Sequence, residues 1–258
     1  MSDWPQGYGL HVVQDVDSTL NEAARIAPSA QGPVWIMAHH QTAARGRRGR
    51  AWTHPKGNLA ATLLLRPEGN PEQAALRSFV AALALFDACV AVTGRATGLS
   101  LKWPNDVLLN GGKLAGILLE STGQGRGLTH LAIGVGVNLT EAPNPDMVEQ
   151  GAVRPVSLLS ETGASATPED FLTELAAAYA VYETQFRTYG FEPIRAAWLS
   201  RAARLGEVIT ARTVSSAMTG TFETVDAGGN LVLNTAKGRI SIPAADVFFE
   251  GGANASGN

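Results

Sequence analysis

The stretch "KWPNDVLLNGGKLAGILLE", residues 102–120, contains two short apolar runs that meet at an Asn-Gly-Gly step. An Asn-Gly pair between apolar runs favours a tight hairpin turn, so this stretch predicts paired strands of a β-sheet. Lys102 and Lys113 lie among its apolar residues, on what the pattern predicts to be adjacent strands. Burying an ammonium group costs on the order of several kcal/mol unless it meets an anion. The stretch therefore predicts an anionic ligand beside the sheet.

Two further polar residues precede the hairpin. Asn105 and Asp106 supply an amide and a carboxylate, which could hold a hydroxyl group or a hydrated magnesium ion. The alternative is an Asx turn that leads into "VLLN", with the Lys113 side chain reaching from the hairpin to solvent. The residues alone leave both interpretations open.

The surrounding chain contains further predicted strands and helices. Thr19 and Glu22 have capping-box spacing at the start of a predicted helix, and a helix cap is one interpretation of Ser18 and Thr19. After Leu205 the pattern changes to period-two alternation around Gly-rich turns, which predicts a small β-barrel module. Further strands are predicted at 34–40, 58–65, 99–106 and 130–139, and further helices at 72–92, from Thr167 to about Tyr189, and over "EPIRAAWLSRAA".

The composition of the chain disfavours several classes of protein. The 258 residues carry a net charge of −3 with a pI near 6.0, which disfavours a general nucleic-acid or membrane-surface protein. The single cysteine, Cys89, lies in an alanine-rich apolar segment and is interpreted as a buried core residue. We find neither a signal peptide nor a run of about 18 apolar residues, so the expectation is a soluble, cytoplasmic protein.

The basic loop "RGRRGRAW", residues 45–52, carries four arginines separated by glycines. Arginine pairs bidentately with phosphate or carboxylate, and glycine allows a close backbone approach. The loop therefore predicts an anion-binding segment that wraps its ligand. A solvated surface loop and a nucleic-acid patch are the alternatives.

A third motif is "GVGVNL", residues 134–139. Gly134 and Gly136 fall on one face of a predicted strand, where a flat group could lie against the backbone, and Asn138 adds an amide on that face. The glycines could equally mark a β-bulge. Since the chain has neither a Walker A motif nor a strand-linked G-x-G-x-x-G, any nucleotide would be held by other means. Residues 140–155, with three prolines, are predicted to form a long mobile loop.

Together these motifs resemble those of the biotin protein ligases, in the order of that family and over essentially the whole chain. The motifs are "DST" at 17–19, Gln41, "RGRRGRAW" at 45–52, "KWPND" at 102–106, "KLAGILLE" at 113–120 and "GVGVNL" at 134–139. The resemblance implies an α+β fold, with a central mixed β-sheet and packed helices like those of class II aminoacyl-tRNA synthetases over residues 1–203. It also implies an SH3-like β-barrel over 205–250, and the composition of the tail at 251–258 predicts disorder.

The resemblance also implies roles for individual residues. Lys113, Arg47 and Lys102 would be catalytic, and Asp106 would hold Mg²⁺. Biotin would be contacted by Ser18, Thr19, Gln41, Arg45, Gly46, Arg47, Lys113 and Gly116. ATP and the adenylate would be contacted by Arg45, Arg47, Arg50, Trp52, Lys102, Asn105, Asp106 and Asn138. The 140–155 loop would cover the adenine.

The implied activity is formation of biotinyl-5′-AMP from biotin and MgATP, followed by transfer of biotin to a lysine of a biotin carboxyl carrier domain of a biotin-dependent carboxylase. A homodimer is implied as well, with no membrane partner. No DNA partner is expected, because only about ten residues precede the catalytic domain, and the helix-turn-helix of bifunctional members is missing. Ala44 and Leu20 depart from the family pattern, where Gly and Asn are usual.

Two alternatives remain open. A lipoate ligase or octanoyltransferase would share the fold and the acyl-transfer chemistry, but "RGRRGR" and "KWPND" favour biotin. A non-catalytic nucleic-acid-binding module would use the arginine loop, yet it leaves Lys113 and "GVGVNL" unexplained.

Overall fold

A computed structural model describes residues 2–124, 127–144, 152–213 and 215–249. Its larger part is a seven-stranded mixed sheet with strand order β1-β2-β3-β7-β6-β5-β4. The edge strand β1 runs parallel to β2, and the other neighbouring strands are antiparallel. The strands are β1 Gly9–Val16, β2 Val34–Gln41, β3 Leu59–Leu65, β4 Leu99–Lys102, β5 Asp106–Leu109, β6 Gly112–Gln124 and β7 Gly127–Val137.

The Asn-Gly hairpin is present between β5 and β6. Asn110 and Gly111 both have positive φ angles, 50° and 77°, as a type I′ turn requires. The strand prediction fails for Trp103, Pro104 and Asn105, which form a turn instead. Pro104 lacks the N–H needed for a ladder hydrogen bond, so β4 ends at Lys102.

Helices pack against the sheet and contribute most of the main core. The edge-to-face contact of Trp35 on β2 with Tyr179, at a centroid distance of 6.0 Å, joins the sheet to the longest helix. The helices are α1 Thr19–Ile26, α2 Pro71–Ala75, α3 Arg77–Thr93, α4 Leu158–Thr162, α5 Pro168–Tyr189 and α6 Phe191–Leu199. The helix predicted at 72–92 is thus divided at Leu76, while β1 and α4 were not predicted.

The α2–α3 segment is long and apolar enough, by length and composition, to cross a membrane. Most of α3 is buried against the sheet and α5, as is typical of a core helix. Cys89 is fully buried there, and burial raises the pKa of its thiol to about 12.

The start of α1 differs from the predicted capping box. Ser18 is the N-cap, and its side chain accepts a hydrogen bond from the Asn21 N–H. Thr19 cannot cap the helix because its N–H and hydroxyl both donate to Gln41 Oε1, at 2.8 and 3.2 Å. The side chain that fixes the helix start is therefore one residue earlier than its Thr-x-x-Glu pattern indicates.

The C-terminal module is a five-stranded antiparallel sheet of order β11-β10-β9-β8-β12. It contacts the larger part through Gly229, whose carbonyl accepts a hydrogen bond from Trp103 Nε1 at 3.0 Å. The architecture confirms the predicted α+β class, with a central mixed sheet and a small C-terminal β module. Its strands are β8 Val208–Arg212, β9 Ala217–Val225, β10 Leu231–Thr235, β11 Gly238–Ile242 and β12 Asp246–Phe249. The predicted disordered tail, 251–258, lies outside the described residues.

Candidate active site

A cavity of about 580 Å³ lies between the sheet, the arginine loop and the first residues of β12. Every residue assigned to a site from the sequence lines it, although these residues come from distant parts of the chain. They are Ser18, Thr19, Gln41, Arg45, Gly46, Arg47, Arg50, Trp52, Lys102, Asn105, Asp106, Lys113, Gly116 and Asn138. The structure thus brings the whole predicted set together, while the role of each residue stays a prediction.

One end of the cavity is polar and ordered by hydrogen bonds. Thr19 receives a hydrogen bond from the buried Thr62 hydroxyl at 2.8 Å and donates its own hydroxyl to Gln41 Oε1. The Gln41 carbonyl oxygen is therefore fixed, which leaves the Gln41 amide N–H groups to face a ligand. This end can bind a small group that offers hydrogen-bond acceptors.

Arg45 lies beside this polar end and is held by Glu120 of β6. Its Nε and one terminal nitrogen donate to the two carboxylate oxygens at 2.9 and 2.8 Å, and the other terminal nitrogen donates to Ser18 Oγ at 3.1 Å. Hydrogen bonding to Glu120 raises the pKa of Arg45, so the Arg45 guanidinium stays positively charged. The sequence did not single out Glu120, because nothing in "KLAGILLE" distinguishes a structural from a pairing carboxylate.

The other end of the cavity is cationic and centred on Asp106. Lys113 Nζ lies 2.7 Å from Asp106 Oδ1, and Lys102 Nζ lies 3.5 Å from Asp106 Oδ2. The lysines are not on adjacent strands as predicted, because β5, which carries Asp106, runs between β4 and β6. An anion therefore does lie between the two buried or half-buried ammonium groups, but it belongs to the protein.

Burial and charge act in opposite directions in this cluster. Burial lowers the pKa of Lys102, against the attraction of Asp106. Burial also disfavours an ionised Asp106, but the nearby Lys113 and Lys102 outweigh it and hold the pKa of the carboxyl below its usual value. Two ammonium groups against one carboxylate leave one net positive charge, so this end of the cavity favours a further anion.

The glycine face of β7 is covered by the protein itself. A Cβ on Gly136 would lie 2.6 Å from the Trp52 indole, and one on Gly134 would lie 3.1 Å from Leu20. The flat group against the bare backbone is thus the Trp52 ring, over which Lys113 Nζ lies at 5.5 Å from the centroid. The glycines permit this packing; a pattern of residues alone could not show which flat group uses it.

The two asparagines differ in what they offer to a ligand. Asn105 Nδ2 donates to the Ile117 carbonyl at 2.6 Å and fixes the turn after β4 to β6. Asn138 is buried and donates through Nδ2 to the Val156 carbonyl at 3.0 Å, while its Oδ1 has no hydrogen-bond partner among the residues that the structure describes. A buried unpaired acceptor is costly, so Asn138 Oδ1 indicates a place for a donor from a bound molecule.

The arginine loop contains a short 3-10 turn, Arg47–Gly49, and contacts the C-terminal module. Arg47 donates to the Ala245 carbonyl at 3.1 Å, and burial lowers the pKa of its guanidinium. Arg48 and Arg50 each donate to Asp246 Oδ2, at 2.8 and 3.0 Å. No sequence pattern points to Asp246, because it is a lone carboxylate in an apolar strand of the module.

The long segment after β7 is anchored at both described ends. Asn58 Oδ1 accepts from the Thr140 N–H at 2.9 Å, and Asn58 Nδ2 donates to the Glu141 carbonyl at 2.7 Å. At the other end, the Lys113 N–H donates to the Arg154 carbonyl at 2.8 Å. Residues at both ends line the cavity, among them Pro143 and Pro155. The prediction of mobility falls mainly on 145–151, which lie outside the described residues.

Asp106 offers limited capacity for a metal ion. Within the described ranges, no cluster of three or more His, Cys, Asp or Glu side chains could hold one, and both Asp106 oxygens face lysines. Magnesium bound with ATP relies mainly on phosphate oxygens and water with one or two carboxylates. The site therefore fits Mg²⁺ arriving as MgATP, and Asp106 as its ligand stays a prediction.

Comparison with known proteins gives matches over both parts of the chain. The family model "Biotin/lipoate A/B protein ligase family" matches residues 11–138, and "Biotin protein ligase C terminal domain" matches residues 205–250. A biotin–[acetyl-CoA-carboxylase] ligase of Paracoccus denitrificans is 56% identical over 91% of this chain and 98% of its own length. The bifunctional ligase/repressor BirA of Bacillus subtilis is 30% identical over 93% of this chain and 74% of its own length.

Solved structures share the fold. The biotin protein ligase of Aquifex aeolicus in complex with biotin and ATP superposes with a TM-score of 0.78 at 25% identity, covering 93% of this chain and 97% of its own. The Leishmania major enzyme in complex with biotinyl-5-AMP gives a TM-score of 0.65 at 22% identity, covering 93% of this chain and all of its own, and shows the fold alone.

Proposed function

This chain belongs to the biotin protein ligase family, and on that basis we propose how its cavity carries out ATP-dependent biotinylation. The enzyme joins biotin to ATP to form biotinyl-5′-AMP and then transfers the biotinyl group to a lysine. In the first step a biotin carboxylate oxygen attacks the α-phosphorus, and the bond to pyrophosphate breaks. In the second, the lysine amine attacks the acyl carbon, AMP leaves with the electron pair, and the amine loses a proton.

The observation that carries the proposal is the meeting of a polar end and a cationic end in one cavity. Thr19 and Gln41 form the polar end, and Lys102 and Lys113 flank Asp106 at the cationic end. Biotin needs hydrogen bonds to a neutral bicyclic head and a contact for its carboxylate, whereas ATP needs cations. A cavity with both ends side by side suits a reaction between the two substrates.

Positive charge lowers the main barrier to the first step. A carboxylate and a triphosphate repel each other, so the reacting atoms meet only where fixed cations offset that repulsion. Lys113, Lys102 and Arg47 are our proposed catalytic groups, because they supply this charge inside a partly water-excluded cavity. Holding both substrates in one place adds the gain of an intramolecular reaction. MgATP is the nucleotide substrate, and its Mg²⁺ further neutralises the phosphates.

The arginine loop closes the remaining side of the cavity. An acyl-phosphate anhydride is sensitive to water, so the adenylate must be covered until the acceptor lysine arrives. The loop lies between Glu120 of the sheet and Asp246 of the C-terminal module. We propose that this position retains the adenylate.

The proposal extends to the acceptor, the oligomeric state and the location of the enzyme. The acceptor is a lysine of a biotin carboxyl carrier domain, since a 56% identical relative is named for acetyl-CoA carboxylase. We also propose a homodimer without DNA or membrane partners. The single, buried cysteine supports a reducing, cytoplasmic location.

The test is ATP–pyrophosphate exchange by the purified protein, with biotin, lipoate or octanoate supplied separately. Exchange with biotin alone is the expected result, because adenylate formation is reversible and returns labelled pyrophosphate to ATP. Exchange with lipoate or octanoate instead would support adenylation but contradict the assignment of biotin as the substrate. An absence of exchange with all three acids would overturn the ligase assignment.

A further inference from the structure

Asp246, the first residue of β12, lies where the arginine loop meets the C-terminal module. Three guanidinium groups of that loop contact its carboxylate, which is only 15% exposed. Arg47 and Arg48 approach at 3.3 and 2.8 Å, and Arg50 at 3.0 Å. One carboxylate of the module therefore gathers most of the positive charge of the loop.

This gathering has an electrostatic reason. Three like charges in one short loop repel one another, and a single central carboxylate offsets that repulsion. Arg47, Arg50 and Asp246 all line the cavity. The carboxylate thus gathers guanidinium groups at the cavity, where they can pair with a polyanion such as a triphosphate.

The backbone of the loop points to the same anchoring. Arg48 has a positive φ of 57°, a conformation that a side chain other than glycine rarely adopts without support. The Arg48 side chain reaches Asp246, and the Arg47 side chain also donates to the preceding Ala245 carbonyl. The loop is therefore attached to β12 by side-chain and main-chain acceptors together.

We propose that Asp246 is a positioning residue, which holds the arginine loop against the C-terminal module and orients its guanidinium groups toward the phosphates of ATP. The ATP part of this inference rests on the proposed function. Asp246 itself does not touch the reacting atoms in this proposal; it acts through the three arginines.

The polar end of the cavity should be independent of this residue. Arg45, at the start of the loop, is held by Glu120 and Ser18 rather than by Asp246. Of the three arginines held by Asp246, only Arg47 is also a predicted biotin contact, so loss of Asp246 should raise the KM for ATP much more than the KM for biotin. A general loss of folded enzyme would lower the apparent kcat and leave both KM values unchanged, so the two effects can be separated.

The first experiment measures the loop directly, without any substrate. Trypsin cleaves after arginine, so the rate of cleavage within residues 45–50 reports how firmly the loop is held. We compare the full chain with D246N, D246E and the control E223Q, which removes a carboxylate paired with Arg239 elsewhere in the module. D246N should be cut at least about tenfold faster, the loss expected from removing a charge-assisted hydrogen-bond acceptor. D246E should restore most of the protection.

The second experiment separates the two substrates. In D246N the KM for ATP should rise about tenfold, with the KM for biotin within about twofold of the parent. R48Q, which removes one partner of Asp246, is the substitute variant if D246N does not fold. It should raise the KM for ATP by less than the tenfold expected for D246N. Where D246N folds, adding R48Q to it should change the KM for ATP little further.

The outcomes distinguish this inference from the proposed function. If D246N and E223Q are cut at the parent's rate, Asp246 does not hold the loop, whatever the enzyme catalyses. If D246N is cut faster but the KM values for ATP and biotin rise equally, the positioning of charge for ATP is wrong. If the parent shows no exchange with any acid, the proposed function fails while the trypsin result still decides the loop contact.

Discussion

Arg45 and Glu120 join the arginine loop to the central sheet through two parallel hydrogen bonds of 2.9 and 2.8 Å. A bidentate pair of this kind fixes the plane and direction of the guanidinium. The third bond, to Ser18 Oγ, aims Arg45 at the polar end of the cavity. The loop thus has one attachment on the sheet and a second on the C-terminal module.

Replacing Glu120 with glutamine should raise the KM for biotin about three- to tenfold, because Arg45 loses a charged partner and its fixed direction. The KM for ATP, for which Arg45 is one predicted contact among several, should rise less. Initial rates of adenylate formation, measured while each substrate is varied in turn, check this. E223Q is the matched control, and an unchanged KM for biotin in E120Q would contradict the orienting role.

Arg47→Gly should release the adenylate. Its guanidinium contacts Asp246 and the Ala245 carbonyl, and glycine makes neither bond. We expect biotinyl-5′-AMP to appear in the filtrate and biotin to label lysines of an added bystander such as serum albumin. Arg239→Gly, on the outer face of the module, should show neither effect. An R47G enzyme as selective as the parent would argue against a covering role for this arginine.

The lowered pKa of Asp106 predicts that its contribution to the stability of the fold is lost in acid. Its pKa in the folded protein lies below the ordinary value of 3.8, so its carboxylate stabilises the fold above that pH. This contribution disappears as the pH falls from about 3.8 through the folded pKa. At pH 7, Asp106→Asn should cost roughly 3–5 kcal/mol, because it leaves two ammonium groups without their partner.

The measurement is the difference in Tm between parent and D106N at pH 7 and at pH 3. The difference should shrink in acid, because the stabilisation by the parent carboxylate is lost progressively as the pH falls below 3.8 toward its lowered pKa. Asp3→Asn, at an exposed position near the N-terminus, should give a small and constant difference. An equally large difference at both pH values would show that the charge of Asp106 is not what stabilises the cluster.

Gly136→Ala should disturb Trp52, since the new methyl carbon would lie 2.6 Å from the indole. Neither the β7 backbone nor the ring can absorb this overlap without a shift, so we expect a loss of about 1–3 kcal/mol in the free energy of unfolding. In a Trp52→Ala background the same substitution should cost much less. Chemical denaturation of the four proteins completes the double-mutant cycle, and equal costs in both backgrounds would contradict the packing.

The sequence predicted more of this structure than secondary-structure propensity alone would allow, because several motifs also indicated specific turns, caps and binding residues. The Asn-Gly turn fixed the β5–β6 hairpin, and the Thr167-Pro168 start placed α5. The resemblance placed fourteen residues that all line one cavity. Edge strand β1 escaped prediction because its half-exposed residues lack clear period-two alternation.

The errors share a physical cause, which is competition between partners that are distant in sequence. Thr19 had the spacing of a cap, but Gln41, at the end of β2, accepts its hydrogen bonds. Lys102 and Lys113 looked like neighbours awaiting an anion, although Asp106 on the strand between them already supplies one. Glu120 and Asp246 became visible only when the loop was seen against the surfaces that it contacts.

The buried thiol of Cys89 has a practical consequence for watching the loop move. It is the only cysteine of the chain, it lies in the core, and its pKa is raised to about 12. Maleimide dyes react with exposed thiolates, so the native protein should resist labelling at neutral pH. A cysteine introduced at an exposed loop position would then carry the sole fluorophore, and opening and closing could be timed molecule by molecule without first deleting a native residue.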